Sequence, residues 1–345
     1  MDTRSAYEHG SEISVLRACR HSDGADLIAI GGKHSVEVIQ VVKLATAGED
    51  LNLRLLTRFY DDESDYIFVF GGGLSGHRNL INDLTWCGGY GEESSRFLAS
   101  VSDEKILLLW DLSVPTEGTS PNFLSDYKNP SQRPQPIPFA ISYAHPLHSI
   151  VSHPSTSKEL VVSDSQGSVF VVDWRYDPAD EHPEDRYRGL SIAQLIDPRA
   201  LADARTGMQT VWGGSVDWHP EDANIIGAAF GSRWAIWNIR NSQGGKPIST
   251  GKAFEHGTCR FRWCPTTPDL FGVIPSSPIE DAVVNIYNAS YIRSMPRRHV
   301  IRNRPHRITD FDWLNIPPPA NPRFVVAIGR KVILIEVGPE DLSNI

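Results

Sequence analysis

Several residue groups in this chain have the types and spacing from which chemistry could be built. Gly71, Gly73 and Gly76 come after the strand-like run Tyr66 to Phe70 and fit G-x-G-x-x-G, the pattern in which a tight glycine turn lets backbone and a helix N-terminus approach a dinucleotide pyrophosphate. The next elements are His77 and another strand-like segment, Asn82 to Cys87, rather than the amphipathic helix such a site requires. The Lys and Ser/Thr of a phosphate-binding loop are also missing after the last glycine, so a plain turn is expected. Cys259 and Cys264 have no Cys/His pair at zinc spacing beside them, and they read as structural thiols. His145, His153 and His219 each precede a proline, and no Ser or Cys nucleophile stands at a recognisable spacing from them. Asp61, Asp62, Glu63 and Asp65 lack the glycine and the spacing of a calcium loop. The expectation is therefore no catalytic, cofactor-binding or metal-ligating set, no cofactor and no enzyme.

One charged stretch stands apart. Arg293, Arg297, Arg298, His299, Arg302, Arg304, His306 and Arg307 have no acidic residue among them between Asp281 and Asp310, in a chain of net charge -9 and pI near 5.7. The plain reading is an exposed outer strand and its connecting loop. The sharper one is docking of an acidic partner segment on Arg293, Arg297, Arg298, Arg302, Arg304 and Arg307. Global acidity works against phosphate neutralisation, so no direct nucleic-acid partner is expected.

The elements that would position these residues come from a repeat. Strand-like segments recur at Asn82 to Cys87, Ser149 to Pro154, Ser215 to Pro220, Arg260 to Pro265 and Thr309 to Leu314, with an aromatic slot held by Trp86, Trp218, Trp263 and Trp313 and by Ser152 as the exception. Positions 86, 152, 218, 263 and 313 lie 66, 66, 45 and 50 residues apart. Each copy is succeeded by two apolar strands, as in Phe97 to Ser102 with Ile106 to Asp111, or Ile225 to Phe230 with Trp234 to Asn238. An N-terminal copy reads Ile13 to Cys19, Leu27 to Gly31 and Val36 to Val41. Alternation of period two and β-branched residues mark these as strands, with little helical periodicity.

Around Gly76-His77, Leu98-Ala99-Ser100-Val101-Ser102-Asp103 and Leu109-Trp110-Asp111 the copy matches the Gly-His to Trp-Asp signature of a WD40 blade. The fold class expected is all-β, a WD40-type β-propeller with six readable blade motifs. In such a blade a histidine, a strand hydroxyl and a turn carboxylate satisfy the buried indole N–H. His77, Ser102 (or Ser100), Glu104 in place of the usual Asp, and Trp110 are the candidates. Other copies lack parts of the signature, Val172 and Tyr287 standing where Trp would be, so packing is expected to hold most of the ring.

Length, a hydrophobic fraction of 40% and a charged fraction of 22% suit one large soluble domain over 1-345. Surface insertions are expected at 113-138, rich in proline, and at 175-210, dense in Asp, Glu and Arg at its start. Four cysteines in 345 residues, no apolar core in the first twelve positions and no membrane-length apolar run point to a reducing compartment and no membrane insertion.

Taken with Leu80-Ile81-Asn82, Trp234-Ala235-Ile236-Trp237-Asn238-Ile239, Cys259-Arg260-Phe261-Arg262-Trp263 and Leu270-Phe271, the chain resembles the nucleoporin 37 family, in a fungal form, from about Ile13 to Val337. That resemblance implies a non-catalytic subunit of the Y-shaped outer-ring complex of the nuclear pore, in the nuclear envelope of the nucleus. It implies docking on a large short-arm nucleoporin, with roles in pore assembly and in protein and mRNA transport. It also implies seven blades, whereas the residues near 59-76 are too few for a complete second blade. Either that blade is rudimentary or a segment is missing. The alternative function is a WD40 adaptor or substrate receptor of a ubiquitin ligase, for which Trp237-Asn238-Ile239-Arg240 approximates the Trp-Asp-x-Arg box.

Overall fold

The computed structural model of the chain describes residues 3–8, 13–18, 28–32, 38–39, 43–47, 53–57 and 66–70 by their backbone, and then residues 76–79, 81–87, 97–111, 138–174, 192–205, 214–241, 243–277, 281–303, 306–315, 321–329 and 331–338. The described residues form seven antiparallel sheets. Strand β1 is Thr3–Glu8. The first sheet holds β2 (Ile13–Ala18), β3 (Ile28–Gly32) and β4 (Val38–Ile39), and the second β5 (Lys43–Ala47), β6 (Leu53–Thr57) and β7 (Tyr66–Phe70). The third holds β8 (Ile81–Cys87), β9 (Phe97–Ser102), β10 (Ile106–Asp111) and β11 (Pro138–Ser142), and the fourth β12 (Leu147–Ser152), β13 (Glu159–Asp164), β14 (Ser168–Asp173) and β15 (Ile192–Ile196). Helix α1, Pro198–Arg205, precedes the fifth sheet of β16 (Gly214–Trp218), β17 (Ile225–Phe230), β18 (Arg233–Asn238) and β19 (Ser249–Lys252). The sixth sheet is β20 (Thr258–Trp263), β21 (Leu270–Pro275), β22 (Ala282–Asn288) and β23 (Arg297–Arg302), and the seventh β24 (Asp310–Leu314), β25 (Arg323–Ile328) and β26 (Lys331–Glu336), with β1 added outside β26.

The first strands of successive sheets touch in turn, β8 to β12, β12 to β16, β16 to β20, β20 to β24 and β24 to β2, while β5 lies against both β3 and β8. The sheets therefore close into a ring of seven blades. The repeat predicts six copies, with the second blade short near 59-76. The structure places a seventh, three-stranded sheet there, because Lys43–Ala47 pairs with Leu53–Thr57 (Leu44 opposite Leu56) and Leu53–Thr57 with Tyr66–Phe70. The expected insertion at 113-138 falls, up to residue 137, outside the described residues. The one at 175-210 contains β15 and α1 as well as connecting chain. Asp197 caps that helix, accepting the Arg199 N–H at 3.0 Å with Pro198 in the first turn, and its other oxygen accepts the Thr250 hydroxyl of β19 at 3.0 Å.

Period-two alternation predicts alternating burial along the strands, yet the middle strands are buried throughout. All six residues of β9 and of β21 are buried. Each sheet is covered on both faces by its neighbours, which removes the solvent side that alternation requires. The core accordingly lies between sheets. Phe97, Leu109, Leu160 and Val172 pack between the third and fourth, Val161, Trp218 and Trp237 between the fourth and fifth, and Ile286, Phe311 and Phe324 between the sixth and seventh. Between the fifth and sixth the packing is aromatic. Phe261 stacks on Phe271 at 4.8 Å, Phe271 on Tyr287 at 5.1 Å, and Trp234 meets Phe271 edge-on at 5.2 Å. Gly227 makes room for this cluster, since a Cβ there would stand 2.2 Å from the Phe261 ring.

Polar side chains stitch the innermost strands across the same seams. Asp83 accepts the Ser149 hydroxyl at 2.9 Å and the Ile150 N–H at 3.2 Å. Ser149 accepts the Val216 N–H at 3.4 Å, and Asp217 the Trp263 N–H at 2.8 Å. Arg260 donates to Asp310 at 2.8 Å, and the Trp313 indole to the Arg262 carbonyl at 3.1 Å. Buried backbone and hydroxyl groups at the seams thus find partners on the next sheet, which fixes the sheets in register around the ring.

Candidate interaction surface

The signature residues of the third sheet come together, with one change of identity. The Trp110 indole donates to Ser100 Oγ at 3.0 Å, Ser100 stands 2.8 Å from His77 Nε2, and His77 Nδ1 stands 2.5 Å from Glu104. The bridging hydroxyl is that of Ser100. Ser102, expected there, instead accepts the Glu104 N–H at 3.3 Å. The reason is register. Leu98 is opposite Trp110 and Ser100 opposite Leu108, so Ser100 is the diagonal neighbour of the indole on the same face, while Ser102 lies two residues further on. Glu104, one carbon longer than Asp, also receives the Arg78 backbone N–H at 3.2 Å. Every group in the relay is satisfied if the serine O–H donates to His77 Nε2 and His77 Nδ1–H donates to the carboxylate. Burial lowers the His77 pKa despite the carboxylate, keeping this neutral tautomer. The network is structural.

The other groups singled out by type find similar uses. His153 and His219 are turn caps: Nδ1 of His153 accepts the Ser155 and Thr156 N–H groups at 3.1 Å, and Nδ1 of His219 accepts that of Asp222 at 2.9 Å. Each ring also meets the next sheet's tryptophan edge-on, His153 to Trp218 at 4.6 Å and His219 to Trp263 at 4.9 Å. His145 is exposed on the turn before β12. Cys264 is buried, and burial pushes the Cys259 thiol up to about 11, far from a reactive thiolate. In the Trp237 to Arg240 box, Trp237 donates to the Gly245 carbonyl at 2.9 Å, and Asn238 caps its own turn by accepting the Arg240 N–H at 3.0 Å. Residues 71–75 and the acidic residues from 61 to 65 lie outside the described residues.

The basic stretch forms the outer edge of the sixth sheet. After β22, Asn288 caps a short 3₁₀ turn, Ala289–Tyr291, by accepting the Ser290 N–H at 2.9 Å. The chain then turns, with Ser294 N–H bonded to the Tyr291 carbonyl at 2.8 Å, and enters β23, whose one strand partner among the described residues is β22. Along β23 His299 points inward and meets Phe324 of the seventh sheet at 5.9 Å, and Ile301 packs against the seam core. Arg298, Val300 and Arg302 take the opposite face and are exposed, as are Arg293, Arg297 and Arg307. His299 is therefore removed from the charged patch, and Arg304 lies outside the described residues. The arginine pattern alone does not disclose the patch's apolar part: Tyr291 is 63% exposed and Met295 88%, with Ile292 and Val300 beside them.

Compared with curated proteins, the chain is 26% identical over 266 residues to mouse nucleoporin Nup37 and 25% identical over the same length to the human one, matches covering 76% of this chain. The chain belongs to the Nup37 family. Its match spans 64% of the length of the mouse and human Nup37 proteins. An uncharacterized WD repeat-containing protein of Schizosaccharomyces pombe is 27% identical over 179 residues, 49% of this chain and 40% of that protein. No family model matches the chain. A WD-repeat nucleoporin family suits the seven-bladed ring and the Gly-His to Trp-Asp network, and the departures that make this chain a divergent Nup37-family member are visible in the same places. Only the third sheet carries the histidine-to-tryptophan relay among the described residues, while Trp218 and Trp237 donate to backbone carbonyls instead.

Proposed function

We propose that this chain is a non-catalytic scaffold subunit of the nuclear pore complex, a single propeller domain that docks on the large short-arm nucleoporin of the Y-shaped outer-ring complex. A place at the pore, in the nuclear envelope, goes with membership of the Nup37 family. Supporting pore assembly, and through it protein and mRNA transport, is the role this placement gives it. The single observation that carries the reading is the match to two Nup37 proteins over 76% of the chain. A rigid ring whose polar side chains are spent on seams and turn caps suits a part that presents surfaces to other proteins. Tagged chain purified from nuclear-envelope extract should bring down outer-ring nucleoporins in near-equal amounts, identified by mass spectrometry. Recovery of the intact chain without any of them would overturn the proposal.

A further inference from the structure

Of the six exposed large apolar side chains among the described residues, four, Tyr291, Ile292, Met295 and Val300, fall within ten consecutive positions. The same positions expose Arg293, Arg297 and Arg298, and Arg302 comes two places later. Charged residues alone on an outer strand would be ordinary protection of a sheet edge against pairing. That protection does not call for Met295 at 88% exposure or Tyr291 at 63%. The outer strands β11 and β19 have one such residue each on or beside them, Phe139 and Ile248. An outer strand that carries cationic forks and apolar anchors together is equipped to receive another strand rather than to repel one.

We infer that the outer edge of the sixth sheet, β23 with the preceding turn at Tyr291 to Met295, is a docking edge for an extended acidic segment of a protein partner that carries apolar residues between its carboxylates. Charge selects the occupant. The stretch has no acidic residue between Asp281 and Asp310, whereas the chain as a whole carries -9, so a segment rich in Asp and Glu is attracted to this edge and repelled from the rest of the surface. The segment adds to β23 by main-chain hydrogen bonds. Its carboxylates reach Arg298 and Arg302 on the exposed face, where bidentate pairing is available, and its apolar side chains cover Val300, Ile292 and Met295. Nucleic acid would share the attraction to the arginines but has no use for the aliphatic anchors, and the acidic remainder of the molecule opposes it.

The inference deepens the scaffold reading and rests on it only in taking a protein as the ligand. Its test uses the purified chain and no pore component, so the failure of either is separately visible. Random twelve-residue peptides displayed on phage are selected on the chain, and enriched peptides are synthesised and titrated by fluorescence anisotropy. Enrichment of Asp and Glu with apolar residues at alternate positions is expected, with binding that weakens as salt rises. Affinity should fall at least tenfold in the triple variant Arg297→Glu, Arg298→Glu, Arg302→Glu, and also in Met295→Asp, and the amides of β23 should gain protection in hydrogen exchange. The milder Arg297→Gln, Arg298→Gln, Arg302→Gln variant, checked by its melting temperature, covers the case in which charge reversal unfolds the protein. Enrichment of neutral or basic peptides, equal binding to all variants, tighter binding of a twelve-nucleotide single-stranded DNA at this edge, or self-association abolished by Met295→Asp would each overturn it.

Discussion

At the scale of residues, Ser100 is the pivot of the buried relay, because its one hydroxyl serves both the Trp110 indole and His77. Ser100→Ala takes a partner from two buried polar groups, a loss of about 1–3 kcal/mol by the usual cost of an unsatisfied group. Ser102→Ala should cost clearly less, and chemical denaturation of the two variants side by side separates them. Both serines are legible in the sequence as candidates, but both lie on one face of β9, and only the register with β10 makes one of them the indole's diagonal neighbour. The histidines make a second prediction. His77, His148, His153 and His219 all have pKa values lowered by burial first of all, so below about 6.5 the unfolded chain takes up protons that the folded one resists. Stability should be full above that pH and fall as pH drops through the folded-state values. Burial raises Glu159 and Asp164, an opposite effect that starts from the lower carboxylate range. Thermal melts between pH 7 and 5.5 should show the midpoint falling, and His153→Gln with His219→Gln should flatten the dependence. Protonating either ring at Nδ1 would turn an N–H toward the backbone N–H groups that it now accepts.

At the scale of elements, the strands that run through the interior of a blade are legible in the sequence and those at its rim are not. Phe97–Ser102, Ile106–Asp111, Ser168–Asp173, Ile225–Phe230 and Arg323–Ile328 are readable to the residue, because burial on both faces writes a dense apolar run. The outer strands β11, β15 and β19, with sequences such as Ser-Thr-Gly-Lys in β19, carry no comparable pattern, since their strand state comes from pairing with β10, β14 and β18. Lys43–Ala47 lacks such a run as well, and this hides the seventh sheet. The apolar half of the β23 edge is likewise masked by its arginines. Fit between neighbouring blades gives a test of its own. Gly227→Val places a branched side chain where a Cβ alone would meet the Phe261 ring at 2.2 Å, and overpacking of this kind costs roughly 1–3 kcal/mol or more. A lowered denaturation midpoint with an unchanged far-ultraviolet spectrum is expected. A variant as stable as the parent would show that the fifth and sixth sheets are not in tight contact there.

At the scale of the molecule, the ring is closed without a covalent link: β1 pairs antiparallel with β26, Ala6 opposite Ile333 and Glu8 opposite Lys331. Residues 3 to 8, Thr-Arg-Ser-Ala-Tyr-Glu, read as polar, and nothing local marks them as a strand, because their partner lies more than three hundred positions away. Removing residues 1–8 should strip the seventh sheet of its outer strand. With net contributions of about 0.5–1.5 kcal/mol per hydrogen bond, the truncated chain should lose on the order of several kcal/mol, seen as a lower melting temperature and faster proteolysis near β26. A melting temperature equal to that of the whole chain would mean that β1 contributes nothing to closure. The same pairing sets a timetable for the making of the protein. At roughly 5–20 residues per second of synthesis, β1 waits about 20–70 s for β26 to leave the ribosome. Until then the growing chain is an open arc, its first and last completed blades each showing an uncovered apolar face to the cell. Newborn chains of this protein are thus clients for chaperones throughout that interval, and pausing of the ribosome over the codons of the seventh sheet prolongs the exposure when every blade but the last is already built.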